Sequence, residues 1–259
     1  MRPGRLALRT VALGYLALLL VVPVGMVFYR ALENGIGPAW DAVTTPPAQH
    51  AFYLTTIVAL IAVPLNAVFG VACAWMLARY RFPGKRLLDA VIDLPFAVSP
   101  VVVGLALVLV WGRQGWFPSS SVIFSTPGIV LATIFVSLPF VVREVEPVLR
   151  EEGTDQEQAA LTLGANAFQV LRRITLPTIR WGLTYGVILA TARALGEFGA
   201  VSIVSGKISG RTETLTIYVE DRFQSLDLAG AYAAAVVLAL LAVAVLVVMT
   251  LLQRRHREA

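Results

Sequence analysis

The residues whose types could do chemistry lie inside apolar sequence. Arg193 and Glu197 are four positions apart in an otherwise uncharged stretch, a spacing that puts both side chains on one face of a helix. Ionisable groups at membrane depth are costly and face a partner or a pathway. The two residues are therefore either a mutual ion pair that orients a helix or part of a translocation pathway. A free Glu197 would repel an anion, so Arg193 is the candidate group for attracting one.

Two prolines mark a second candidate segment. Pro95 and Pro100 stand in the apolar stretch DLPFAVSPVVVG, where each removes a backbone donor and disturbs a helix. The freed carbonyls are tolerated at membrane depth only where protein or a water-filled cavity receives them. Ser99 and Pro100 are therefore candidate pathway residues, and an ordinary proline kink is the alternative.

Sequence signals for an enzyme are missing. The only Gly-Lys pairs, at residues 84–85 and 206–207, do not fit the phosphate-binding pattern G-x-x-x-x-G-K-[ST]. The single cysteine, Cys73, excludes a disulfide framework, and no metal-ligand cluster or nucleophile with a paired base is evident. We expect a non-catalytic chain without a cofactor, with any ATP and Mg²⁺ bound by another subunit.

The elements that must position these residues are membrane spans. Hydrophobic residues make up 58% of the 259 positions, more than soluble domains contain. A helix needs about 20 apolar residues to cross a bilayer. The sequence predicts one polytopic all-α domain with six spans, at residues 11–29, 52–77, 87–111, 122–142, 181–204 and 230–252.

Charge distribution predicts the orientation. Most Lys and Arg residues lie at the N-terminus, between spans two and three, between spans four and five, and at the C-terminus. Because basic residues are retained on the cytoplasmic side, both termini are expected there. This topology also explains the net charge of +5 without nucleic acid. Residues 1–50 are predicted to form an anchor helix with an external loop, and residues 51–259 the main transmembrane domain.

The long connection between spans four and five carries a regular pattern. Helix formers with acidic residues in the first turn predict a helix over Asp155–Thr162, which Gly164 ends. A second helix is expected over residues 166–174, before Pro177. Residues 155–177, called the elbow below, suit insertion into a groove of another protein, and lying on lipid headgroups is the alternative. The predicted apolar face comprises Ala159, Ala160, Leu163, Ala167, Val170 and Leu171.

Residues 158–177, QAALTLGANAFQVLRRITLP, resemble the EAA loop of ABC importer permeases. That pattern is E-A-A, three residues, Gly, nine residues and Ile-x-Leu-Pro; Gln158 departs from it, with Glu157 adjacent. The resemblance implies that the elbow contains a coupling helix, which seats in a cleft of a cytoplasmic ATPase. The implied docking residues are Gln158, Ala159, Ala160, Leu163, Gly164 and Ala165.

Two further stretches, residues 93–104 and 193–206, resemble the W-type membrane subunits of sulfate/thiosulfate importers. The resemblance implies the type I ABC importer permease fold in a bacterial inner membrane. It also implies a related permease subunit, two ATPase subunits and an extracytoplasmic sulfate-binding protein as partners, besides membrane lipid. Molybdate and other oxyanion permeases are the nearest alternative. An autonomous secondary transporter, with Arg193 and Glu197 as its relay, is another.

Overall fold

The computed structural model describes residues 3–117 and 122–257, and every regular element within those ranges is helical. Arg2, one of the basic residues used to predict the orientation, lies outside them. Five-residue π-helical segments, Ala17–Val21 and Leu171–Thr175, follow α1 and α9. The helices are α1 (Pro3–Leu16), α2 (Val22–Leu32), α3 (Ile36–Val43), α4 (Pro46–Arg79), α5 (Lys85–Ala97), α6 (Pro100–Trp111), α7 (Thr126–Glu152), α8 (Asp155–Thr162), α9 (Ala167–Val170), α10 (Leu176–Leu195), α11 (Gly199–Val204), α12 (Leu215–Gln224) and α13 (Leu228–Arg257).

Four helical segments of the described chain are long and apolar enough to cross a membrane. They are Arg9–Leu32, Pro46–Arg79, Thr126–Glu152 and Leu228–Val245, and a fifth is added if α5 and α6 together form one span. The predicted fifth span, residues 181–204, corresponds to α10 and α11, and α10 is not among these apolar helices.

Close packing explains the two glycines of α10. A Cβ atom at Gly182 would lie 2.5 Å from the carbonyl oxygen of Glu144 on α7, and one at Gly186 would lie 2.9 Å from the Cα of Val141. Small residues let helix backbones approach closely within a membrane domain. This helix therefore packs closely against α7, and its two arginines, Arg180 and Arg193, make its sequence less apolar than the other spans.

The predicted third span, residues 87–111, is not one continuous helix. It is broken between α5 and α6, whose axes are bent by 118°. Val98 and Ser99 have extended backbone torsions, with ψ of 138° and 135°, as expected near Pro100, because a proline disfavours the helical conformation of the residue before it. A Cβ atom at Gly199 would lie 2.8 Å from the Cβ of Pro100. The break therefore packs against the start of α11.

The core of the molecule lies where α4, α7 and α10 pack together. One cluster of buried residues joins Leu77 of α4, Val142 and Leu149 of α7, and Ile179 of α10. At membrane depth, Asn66 donates a hydrogen bond to Ser137 Oγ at 2.7 Å. This three-helix core holds together the chain segments from which the elbow projects.

Candidate functional site

The elbow begins with α8, and the sequence predicted its bounds correctly. The helix ends in a left-handed glycine, Gly164, with φ of 88°. The N–H of Gly164 donates to the carbonyl of Leu161, and the N–H of Ala165 donates to the carbonyl of Ala160, both at 3.0 Å. This pair of hydrogen bonds is a Schellman motif, which satisfies the last carbonyls of the helix and needs a residue that tolerates positive φ.

The second arm of the elbow starts at once. Asn166 Oδ1 accepts a hydrogen bond from the N–H of Gln169, and Gln169 Oε1 accepts one from the N–H of Asn166, both at 2.9 Å. This reciprocal capping box fixes the first turn of α9. The turn between the arms is therefore held by backbone and side-chain hydrogen bonds at both ends.

The expected end of the second arm before Pro177 is wrong. The chain continues from α9 through the π-helical segment Leu171–Thr175 directly into α10, and the N–H of Leu176 donates to the carbonyl of Leu171. Pro177 falls in the first turn of α10, where a missing N–H is tolerated. Consequently the elbow is joined without a loop to the helix that carries Arg193.

The elbow exposes an apolar surface. Leu163 is 88% exposed, Phe168 67% and Leu161 52%. Of the predicted apolar face, Ala159, Leu163 and Ala167 are exposed, whereas Val170 is buried and Ala160 and Leu171 are half-buried. Exposed large apolar groups that cluster at one place mark a surface for another molecule. We call Leu161, Leu163 and Phe168 the apolar tip.

Sequence reasoning missed Phe168 and Leu161. Successive residues of an α-helix are turned by about 100°, so Phe168 lies about 200° from Val170 and cannot share its buried face. That angular argument was available from the sequence once Val170 was assigned to the packed side.

An ion pair ties the elbow to the body of the molecule. Glu157 Oε2 lies 3.1 Å from Nε of Arg79 at the end of α4, and Oε1 accepts a hydrogen bond from Nη2 of Arg79 at 3.1 Å. The hydroxyl of Thr175 donates to the same Oε1 at 2.9 Å, and Nη1 of Arg79 donates to the carbonyl of Leu149 at 2.6 Å. We call this group of four residues the strut, since it connects α8 to the ends of α4 and α7 and to the segment that precedes α10.

Gln158, the departure from the EAA pattern, does not weaken the strut. Its side chain is exposed, and its Nε2 donates to Thr154 Oγ1 at 2.9 Å. The adjacent Glu157 makes the inward ion pair. Sequence reasoning noted Glu157 but could not find Arg79, because the two residues are far apart in the chain.

Two of the four candidate pathway residues, Arg193 and Glu197, lie at the junction of α10 and α11. Arg193 Nη2 lies 2.8 Å from Glu197 Oε2, and the side chains are 30% and 1% exposed. Glu197 Oε1 accepts a hydrogen bond from the N–H of Ala200, at the start of α11, at 2.9 Å. The structure therefore confirms the mutual ion pair, in which Glu197 is held inside and Arg193 keeps an exposed side.

Ser99 and Pro100 lie at the break between α5 and α6. Ser99 is exposed and Pro100 is half-buried. Through the contact of Pro100 with Gly199, the structure brings this break next to the segment that carries Glu197. Within the described chain, no group of three or more His, Cys, Asp or Glu side chains could hold a metal ion.

Comparison with known proteins gives one consistent result. The family model described as "binding-protein-dependent transport system inner membrane component" matches residues 66–258. The chain is 53% identical over 256 residues to the sulfate transport system permease protein CysW of Synechocystis sp., covering 96% of this chain and 93% of that protein. It is 39% identical over 230 residues to the sulfate transport system permease protein CysT of Salmonella typhimurium, covering 86% and 83%.

The fold is also found among solved structures. A chain of the bacterial alginate ABC transporter, crystallised with an alginate pentasaccharide-bound periplasmic protein, aligns with a TM-score of 0.78 at 16% identity, covering 96% of this chain and 93% of that one. At this identity the likeness concerns the fold alone. On the family match and the two relatives, this chain belongs to the inner membrane components of binding-protein-dependent transport systems, the permeases of ABC importers.

Proposed function

We propose that this chain is the membrane-spanning permease subunit of an ATP-driven importer for sulfate or thiosulfate. In this proposal it forms half of the translocation pathway and couples that pathway to a separate ATPase. The observation that carries the proposal is the elbow, which presents an exposed apolar tip and continues without a loop into α10. The names of the relatives support sulfate as the substrate.

The proposed topology has six spans. They are the segment from α1 to α2, then α4, the broken pair of α5 and α6, α7, the pair of α10 and α11, and α13. The elbow and both termini face the cytoplasm of a bacterial cell, because the basic residues concentrate at those connections and the positive-inside rule places them there. Residues 1–50 form the anchor and external loop, and residues 51–259 the permease domain.

The elbow is proposed to contain the coupling helix. An ATPase cleft would receive α8 and the apolar tip, with ATP and Mg²⁺ bound entirely by the ATPase. Burial of three large exposed side chains supports docking, since each is worth about 1.5–3 kcal/mol when fully removed from water. Leu161 and Phe168 join the docking residues because they are exposed. The other docking residues are Gln158, Ala159, Ala160, Leu163, Gly164 and Ala165.

The proposed assembly contains a related permease subunit, two ATPase subunits and an extracytoplasmic sulfate-binding protein, and it lies in the bacterial inner membrane. Similarity of this chain to both CysW and CysT proteins supports a heterodimer of related permeases. The family assignment disfavours an autonomous secondary transporter, and the names of the relatives favour sulfate over molybdate.

The proposed pathway includes Ser99, Pro100, Arg193 and Glu197. An unpaired carboxylate would repel a dianion, but Glu197 is buried and its charge is offset by Arg193. The exposed part of Arg193 is left to attract the anion. The Pro100–Gly199 contact joins two helix breaks, one between α5 and α6 and one between α10 and α11. These breaks support a pathway position, since irregular backbone at membrane depth must line a cavity or be covered by protein.

The test is co-purification of the chain with its partner ATPase, combined with ATPase assays on the complex. Leu163→Asp should reduce the recovered ATPase at least tenfold, because it puts a charge on the most exposed residue of the apolar tip. Leu226→Asp is the matched control, since Leu226 is 82% exposed and belongs to the α12–α13 connection. Normal recovery with Leu163→Asp would refute docking at the elbow. Stimulation of the ATPase by molybdate but not by sulfate, with the binding protein present, would refute the proposed substrate.

A further inference from the structure

A basic cleft of about 590 Å³ lies beside the start of α5. Asp89, its only acidic residue, is bound to Arg143 Nη2 at 2.8 Å, and Arg150 Nε donates to Glu146 Oε1 at 2.9 Å. The residues that line the cleft are Arg81, Phe82, Gly84, Lys85, Arg86, Asp89 and Arg150.

Three cations of this cleft have no ion-pair partner within the described part of the chain. Among the residues that the structure describes, none makes an ion pair with Arg81, Lys85 or Arg86; the ammonium group of Lys85 donates only to the carbonyl of Tyr80, at 3.2 Å. Arg81 and Arg86 are exposed. An anion in the cleft could therefore contact three cationic side chains without displacing a partner carboxylate.

The backbone adds to this preference. The 13-residue helix α5 begins at Lys85, and its first turn contains no acidic residue. The N–H of Lys85 donates to the carbonyl of Phe82 at 3.3 Å. The N–H groups that follow it in the first turn have no partner within the helix, and together with the helix dipole they favour a phosphate or similar anion. Side chains and backbone of the same segment thus favour the same kind of ligand, an anion such as a phosphate group.

The surroundings place the cleft at the depth of lipid headgroups. Trp75 and Tyr80, at the end of α4, pack edge to face with ring centroids 5.5 Å apart, and Tyr80 is 51% exposed. Such aromatic residues concentrate at membrane–water interfaces. Leu87, the next residue of α5 after Arg86, is 70% exposed and offers an apolar surface beside the cations. A ligand with both a charged head and an acyl chain matches this pairing better than a free ion.

We propose that the cleft binds the phosphate group of an anionic phospholipid headgroup. With the orientation given under the proposed function, this lipid lies in the cytoplasmic leaflet, and only that placement rests on the proposed function. Bound lipid would fix the start of α5, whose Asp89 and Asp93 both bind Arg143 of α7. Basic pockets between spans on the cytoplasmic side are suited to such headgroups.

The experiment uses the purified full-length chain without an ATPase. Phosphatidylglycerol or phosphatidylcholine is titrated in detergent, and bound lipid is counted by native mass spectrometry. We expect preferential retention of phosphatidylglycerol. The double variant Arg81→Gln/Arg86→Gln should weaken that retention about 25-fold, at about fivefold per cation, and leave phosphatidylcholine unchanged.

The matched control is Arg172→Gln/Arg173→Gln, which removes two exposed cations from the elbow and should change retention less than about twofold. Equal loss in both double variants would overturn the proposal in favour of diffuse attraction. Displacement of phosphatidylglycerol by millimolar sulfate or inorganic phosphate would identify a free oxyanion as the occupant and overturn the lipid assignment. If the double variant misfolds, the single variants Arg81→Gln and Arg86→Gln, each expected to lose about fivefold, decide the question.

Discussion

The substitution Glu157→Gln tests the strut. The side chains of Glu157 and Arg79 are only 15% and 10% exposed, so neither can exchange its partner for water easily. Glutamine keeps the acceptor for Thr175 but removes the charge opposite Arg79, which retains the carbonyl of Leu149. Hydrogen bonds to charged groups contribute about 1.5–3 kcal/mol, against about 1 kcal/mol for neutral ones. We expect a loss of about 2 kcal/mol in the free energy that orients the elbow.

That loss has a measurable consequence. A change of about 2 kcal/mol corresponds to about a thirty-fold change in the ratio of correctly to incorrectly oriented elbows. In proteoliposomes containing the complete importer, we expect sulfate uptake per ATP hydrolysed to fall, with about thirty-fold as the upper bound of the loss. The apolar tip is unchanged in this variant, so co-purification of the ATPase should fall less than with Leu163→Asp.

A double-mutant cycle and a control make the test decisive. Arg79→Gln combined with Glu157→Gln should be little worse than either single variant, because both remove the same interaction. Glu151→Gln makes the same chemical change at an exposed position near the elbow and should leave uptake within about twofold. If the effects of the two strut substitutions were fully additive, or if Glu157→Gln transported sulfate normally, the reasoning from the strut would be refuted.

Three further substitutions test the turn, the pathway and the packing. Gly164→Val should greatly reduce ATPase co-purification. Because a Cβ at this position would meet no atom within 4 Å, the cost comes from the positive φ alone and is at least about 1–2 kcal/mol. Gly164→Asn should have a milder effect, and recovery of the ATPase at the wild-type level with both variants would contradict this. Arg193→Ala should reduce sulfate uptake in proteoliposomes while the complex still assembles, and an unchanged uptake rate would remove Arg193 from the pathway. Gly182→Ala should lower the free energy of unfolding by about 1–3 kcal/mol through its clash with the carbonyl of Glu144. Gly25→Ala is the control, since Gly25 has open space around it. Equal stability of the two variants would argue against close packing of α10.

The sequence predicted features that depend on neighbouring residues. The bounds of α8 followed from its acidic first turn and from the glycine after it, and the pairing of Arg193 with Glu197 followed from their spacing on one helix. Each of these depends on hydrogen bonds or contacts within about one helical turn, which residue order determines directly.

Contacts between distant residues were not predictable in the same way. The strut joins Glu157 to Arg79 through the packing of α4 against α7, and no local pattern indicates that contact. The 118° bend after α5 was foreseen only as a disturbance at Pro95 and Pro100. Pro95 lies inside α5 without breaking it, and the angle of the break at Pro100 depends on the neighbouring helices. The continuation of α9 into α10 was missed since Pro177 normally signals an end, and a π-helical segment was not considered.

Joining the elbow directly to α10 creates a single rod from Ala167 to Leu195, about 43 Å long at 1.5 Å per residue. The strut contacts this rod nearer to its first end, so a small tilt about the strut displaces the other end further. Arg193 lies 18 residues beyond Thr175 of the strut, or about 27 Å along the rod, so a rotation of about 10° about Thr175 would move it by about 5 Å, roughly half the distance between packed helices. In the proposed importer, a small rotation of the ATPase at the apolar tip would therefore displace the cationic side chain of Arg193 by several ångströms.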